Sequence, residues 1–160
     1  KNNKGEAIMK IAAVIDNLGP AQKSFYLIKE FNKASSNTNL CLSSFFVRSA
    51  IPVIPVMFSC KSISFLSGFH GTAISTTIKE TDALLKSSNN SRKIFYMWDA
   101  EWLISPRNFH EISSVLLDNR LDIICRSDSH AKLLENFCNK SPVGIVDNWN
   151  MDQILGILNV

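Results

Sequence analysis

The chain has 160 residues, of which 46% are apolar and 19% charged, with a formal net charge of +3. That length suits one core of ordinary size, and the apolar share excludes a disordered chain. The small positive charge, without a Lys/Arg cluster, excludes the electrostatic footprint of a nucleic-acid binder.

Residues 1–6 are polar and lack the apolar stretch and small-residue cleavage site of a signal peptide, and residues 1–8 read as an extension ahead of Met9. Residues 9–16 (MKIAAVID) read as a first, buried strand. Asn17, Leu18, Gly19 and Pro20 end it, because Gly19 tolerates unusual backbone angles and Pro20 suits the first turn of a helix. That helix is expected over residues 20–34, with Ala21, Phe25, Ile28 and Phe31 on its inner face.

After a turn cluster at 35–39, residues 40–47 read as the second strand. The most apolar window, 44–60, contains Arg48, Pro52 and Pro55. It fits two short strands better than a bilayer-spanning helix, so residues 51–58 are expected as a third, weaker strand. Residues 62–66 read as a short strand or edge. Thr72 is the expected N-cap of a helix with Ile74, Ile78, Thr81 and Leu85 on one face, followed by a loop at 86–91.

Residues 93–98 read as a strand whose apolar run from Ile94 to Trp98 leads into Asp99, Ala100, Glu101 and Trp102. Such a run fits a strand covered on both faces, and carboxylates at its carboxyl end stand where α/β sheets bind ligands. Asp99 and Glu101 are therefore candidates for a general base or a hydroxyl-binding pair beside two flat rings. The alternative is a solvated loop whose tryptophans pack on the core. A helix is expected over 105–119 with Phe109, Ile112 and Leu116 inward, and Ser105 or Asn108 as its cap. Residues 121–125 read as a strand, 127–139 as a helix, 143–146 as a strand and 151–158 as an amphipathic segment.

Strand and helix alternating at short intervals means a three-layer α/β/α sandwich in one domain, built on a mostly parallel, Rossmann-like sheet of about six strands. In the usual doubly wound order the first strand would lie beside the 93–98 strand, so that their two loops flank one crevice. The turn at Gly19 and Pro20 would either hold an anion at a helix N-terminus or be an ordinary tight turn. Neither GxGxxG nor GxxxxGK[ST] is present. Cys41, Cys60, Cys125 and Cys138 lack metal-ligand spacing and read as buried free thiols in a reducing, cytoplasmic setting. His70, His110 and His130 show no zinc spacing, so no metal site is expected.

The segment from Leu121 to Ala131 (LDIICRSDSHA) resembles the "aD-x-ivavSe-x-x-a" segment in the N-terminal domain of GT-B glycosyltransferases of the retaining, family-4-like group. Further on, Val143 to Asn150 (VGIVDNWN) occupies the place of that family's "v-x-vIpNGvD" strand and turn. Asn148 matches its asparagine, while Trp149 replaces its glycine and Asp147 its proline. The turn from Asp16 to Gln22 resembles the family's glycine-rich turn and matches it at Gly19.

The resemblance implies a GT-B N-terminal-domain-like fold and an acceptor cleft lined by Trp98, Asp99, Glu101 and Trp102, with Asn17, Gly19, Arg126, Ser127 and Asp128 contributing. It implies a nucleotide sugar as donor substrate, no bound cofactor, and a carbohydrate or glycosylated acceptor as partner. Most of the sugar-nucleotide contacts belong to a second domain of that family, and the 160 residues are expected to stop where it would begin. The expectation is an acceptor-binding half-enzyme or a remnant of one, with transfer only when a donor domain is supplied. The alternative is a stand-alone, non-catalytic module in which the apolar residues near 151–160 cover a partner or form a homodimer.

Overall fold

In β1 (Met9–Ile15), Ile11, Ala13 and Ile15 pack into one apolar cluster and Ala12 and Val14 into another, and all five are fully buried. Successive side chains of a strand point to opposite faces, so β1 must be covered on both. A computed structural model shows how, and describes residues 8–87, 89–90 and 92–158. The expected extension lies outside the described residues except at Ile8, as do Ser88 and Ser91 of the expected 86–91 loop.

The other strands are β2 (Leu40–Phe46), β3 (Ser59–Ser62), β4 (Thr72–Ser75), β5 (Arg92–Met97), β6 (Leu121–Cys125) and β7 (Gly144–Ile145). Among the described residues these seven make one all-parallel sheet in the order β3-β2-β1-β4-β5-β6-β7. Helices α1 (Gln22–Ala34) and α6 (Met151–Leu158) cover one face, where Leu27, Ile28, Phe31, Met151 and Ile154 meet Ile11, Ile94 and Tyr96. Helices α2 (Ile78–Lys86), α4 (Phe109–Leu116) and α5 (Asp128–Cys138) cover the other, where Leu85, Ile112, Leu116 and Leu134 meet Phe95, Met97 and Ile123. A short α3 (Glu101–Ile104) links β5 to α4. The fold is the expected Rossmann-like three-layer sandwich. No helix among the described residues is long and apolar enough to cross a membrane.

Gly71 lets β4 meet β1 closely. A Cβ there would lie 2.5 Å from the Lys10 carbonyl oxygen and 2.8 Å from the Lys10 Cβ, and backbone cannot yield as a side-chain tip can. Gly71→Ala is expected to cost about 1–3 kcal/mol in urea unfolding, as over-packed interiors do.

Four expectations need correction. Residues 51–58 form no strand, because Pro52 and Pro55 offer the ladder no N–H. Asn32 on α1 holds this segment instead, donating to the Pro55 carbonyl at 2.7 Å and accepting from the Met57 N–H at 2.8 Å. Residues 62–66 do not form a strand beyond Ser62: Ile63–Gly68 is a 3-10 helix whose first turn is held by the Ser62 hydroxyl, which accepts from the Ser64 N–H. Thr72 caps no helix and starts β4, with Ile74 in the sheet core; the cap is Thr77. The helix expected over 105–119 divides into a 3-10 turn at Pro106–Asn108 and α4, with no side-chain cap from Ser105 or Asn108.

Smaller corrections concern burial. Ala21, Phe25 and Phe109 are exposed rather than inward, because α1 turns Ser24 and Leu27 to the core and α4 turns Ile112 and Leu116. All four cysteines are free; Cys125 and Cys138 are buried, whereas Cys41 and Cys60 are exposed on β2 and the edge strand β3. Helix α6 buries Met151 and Ile154 in the core, leaves Leu155, Ile157 and Leu158 partly buried against it, and residues 159–160 of the expected apolar segment lie outside the described residues.

Candidate functional site

The strand order reverses between β1 and β4, and at such a switch point the loops after the two strands diverge to flank a crevice outside the strands' carboxyl ends. The 93–98 strand is therefore not the neighbour of β1. It lies one place further out, as β5, because residues 72–75 supply the strand between them. Asn17 shapes the β1 side of the crevice: its Oδ1 accepts from the Gly19 N–H at 2.9 Å, and its carbonyl accepts from the Ser24 hydroxyl at 2.9 Å. Asp16 turns away to Arg48, whose Nε donates to Oδ1 at 3.0 Å, and that guanidinium holds the carboxyl below its ordinary range.

On the β4 side, Thr77 and Glu80 form a capping box at the start of α2. Glu80 Oε2 accepts from the Thr76 N–H at 3.2 Å, the Thr76 hydroxyl at 3.0 Å and the Thr77 N–H at 3.1 Å. Its Oε1 is buried and has no hydrogen-bond partner among the described residues. Burial raises the Glu80 pKa against the opposing pull of Lys23 and the threonine donors.

Glu101 reaches in from β5's loop, and its Oε1 accepts from the Ile78 N–H at 2.9 Å, on the N-terminus of α2. It is half-buried, and burial raises its pKa too, with Glu80 and Asp99 adding repulsion and Lys23 opposing. Glu80, Glu101 and Lys23 thus interact across the switch point from three different elements. A half-exposed carboxyl of raised pKa can hold or release a proton nearer neutral pH than an ordinary glutamate.

A second group gathers at the ends of β5, β6 and β7. The Arg126 guanidinium lies 4.0 Å from the Trp98 ring centroid, and its Nη2 donates to Asn148 Oδ1 at 3.1 Å and to Gln22 Oε1 at 3.4 Å. Trp98 packs edge-on to Tyr96 at 5.6 Å, and the Tyr96 hydroxyl donates to the Val146 carbonyl. Ser127 caps α5 and its hydroxyl lies 2.8 Å from His130 Nδ1.

Of the residues singled out from the sequence, Trp98 and Arg126 are in contact, with Ser127 next along the chain. Asn17 and Gly19 form the β1 loop, Glu101 opens α3 and accepts from the N-terminus of α2, and Asp99 and Asp128 are exposed. Trp98 and Trp102 are not brought together. Trp98 joins the α1–α6 layer, while Trp102 joins the opposite layer beside Phe137 at 6.1 Å, and each is only 4% exposed. Neither offers an open ring face for stacking.

Glu80, Lys23, Gln22 and Asn148 complete the two groups and were absent from the sequence-based site. Glu80 was legible, since Thr-x-x-Glu is a capping-box spacing, but an expected helix start at Thr72 hid it. The pairing of Gln22 and Asn148 through Arg126 spans 104 and 22 positions and carries no local signal. Comparison with protein-family models, curated proteins and solved structures gives no match for this chain.

Proposed function

We propose that the chain is the acceptor-binding half of a sugar-nucleotide-dependent glycosyltransferase of the GT-B kind, acting with a donor-binding domain. The observation that carries this reading is the turn after β7. Asn148 and Trp149 have φ of 46° and 63°, the left-handed region that glycine favours. They stand where the resembled family has Asn-Gly, and glycine is the residue that takes such a φ most readily. The crevice suits a hydroxyl-rich ligand: Asn17, Gln22, Asn148 and Arg126 offer donors and acceptors, and Glu101 is the candidate to orient or deprotonate an acceptor hydroxyl.

The test is a thermal-shift and calorimetric screen of neutral glycans and sugar nucleotides. A glycan at a hundred times its dissociation constant should add about 2.7 kcal/mol of stability. Glu101→Gln should leave glycan affinity within a few-fold and abolish transfer once a donor domain is supplied. Absence of any glycan response, and of sugar-nucleotide turnover with a donor domain present, would sink the reading. A second reading, a non-catalytic interaction module, is favoured by the exposed Leu103, Phe109 and Phe137 around a 340 Å³ apolar groove also lined by Trp102. It predicts a concentration-dependent mass in sedimentation and no ligand in the carboxyl-edge crevice.

A further inference from the structure

We infer that Arg126 is an anion-binding residue, and that the ligand of the carboxyl-edge crevice carries a phosphate or carboxylate group. The inference takes the location of the crevice from the proposed function and nothing from its sugar chemistry. Of the five arginines, Arg48, Arg92 and Arg120 each pair with an aspartate, and Arg107 is exposed. Arg126 alone is half-buried with no carboxylate within 4.0 Å among the described residues. The aspartates of the adjoining loops, Asp128 and Asp147, are exposed and do not close on it.

Its protein partners are two neutral amides, Gln22 and Asn148, and the face of Trp98. Both amide bonds come from Nη2, so the Nε and Nη1 donors keep no hydrogen-bond partner among the described residues. Partial burial of a cation without a counter-charge is unfavourable, and an aromatic face offsets only part of that cost. The same contacts hold the guanidinium plane from three sides: β5's end, α1's start and the turn after β7. A planar fork fixed in this way, with free donors, matches the two oxygens of a carboxylate or phosphate and loses little further freedom on binding. A purely structural staple would not need a permanent charge; a glutamine could bridge the same two amides.

The experiment titrates the full chain with inorganic phosphate, glucuronate and glucose at ionic strength matched by sodium chloride. Melting temperature and the Arg126 Nε–H resonance are read, the resonance being assigned by its absence from Arg126→Lys. The expected result is saturable stabilisation by phosphate or glucuronate beyond chloride, with movement of that resonance. Affinity should fall at least tenfold in Arg126→Lys, which loses the planar fork, and vanish in Arg126→Gln. No response beyond chloride in the wild type, or an undiminished response in Arg126→Gln, overturns the assignment. Should Arg126→Gln fail to fold, the wild-type resonance decides: movement with phosphate or glucuronate supports the assignment, and its absence overturns it. Anion binding without any glycan response keeps Arg126 and removes the carbohydrate reading. Glycan binding at full strength in Arg126→Gln does the reverse.

Discussion

Trp149→Ala is expected to lower stability by about 3–5 kcal/mol, the range for removing a large buried aromatic. Trp149 is fully buried, with its ring 5.0 Å from Tyr96 and 6.0 Å from Phe31, both edge-on. It joins the turn after β7 to α1 and to the β5 side of the sheet. Its Nε1 is buried without a partner among the described residues, so the substitution breaks no side-chain hydrogen bond there and the loss is one of packing and cavity. Trp149→Gly supplies the sharper comparison. At most positions glycine is worse than alanine by about 0.5–1 kcal/mol, but at a φ of 63° alanine keeps the strain that glycine relieves. The glycine variant is therefore expected to be no less stable than the alanine variant in urea unfolding. A glycine variant clearly below alanine would show that the turn is not left-handed.

Glu80→Ala comes next in size. It strips the acceptor from two backbone N–H groups and one hydroxyl at a buried site, and each donor left unpaired costs about 1–3 kcal/mol. The loss should be at least about 2 kcal/mol, read in the same unfolding assay. Glu80→Gln keeps an acceptor oxygen and removes the ionisable group, which separates hydrogen bonding from charge. The folded-state pKa of Glu80 is raised above an ordinary 4.5, so the folded protein holds this proton to higher pH than the unfolded chain does. Its contribution to stability is fully present below pH 4.5 and is lost as pH rises through the folded value. Glu80→Gln should flatten that part of the stability–pH curve. Glu101, shifted in the same direction, keeps its own slope in this variant. An unchanged profile would mean that Glu80 is not ionising across that window.

Periodicity made the layered α/β class legible: the apolar runs of β1, β5 and β6 are covered on both faces, and α1, α5 and α6 carry one apolar side. Local chemistry also marked Ser127 as a helix start and Gly19 as a turn, and both hold. The stretch from 59 to 77 was misread because short strands and single-turn helices bury too few residues to show a period. β4 has only four residues, Thr72–Ser75, and its identity comes from hydrogen bonds to β1 and β5 rather than from its own pattern.

By itself, then, the order of apolar and polar residues determined that this chain builds a parallel sheet between helices, with carboxylates and an arginine at the strands' carboxyl ends. Tertiary structure alone decided which of them meet. Inserting β4 beside β1 moved β5 outward, split Trp98 and Trp102 between opposite layers, and brought Glu80 with Lys23 to the switch point. The physical reason is that strand order is set by pairing between distant segments, and a side chain's layer by the phase of its strand or helix against the assembled sheet. Neither quantity is stored in any local window of sequence.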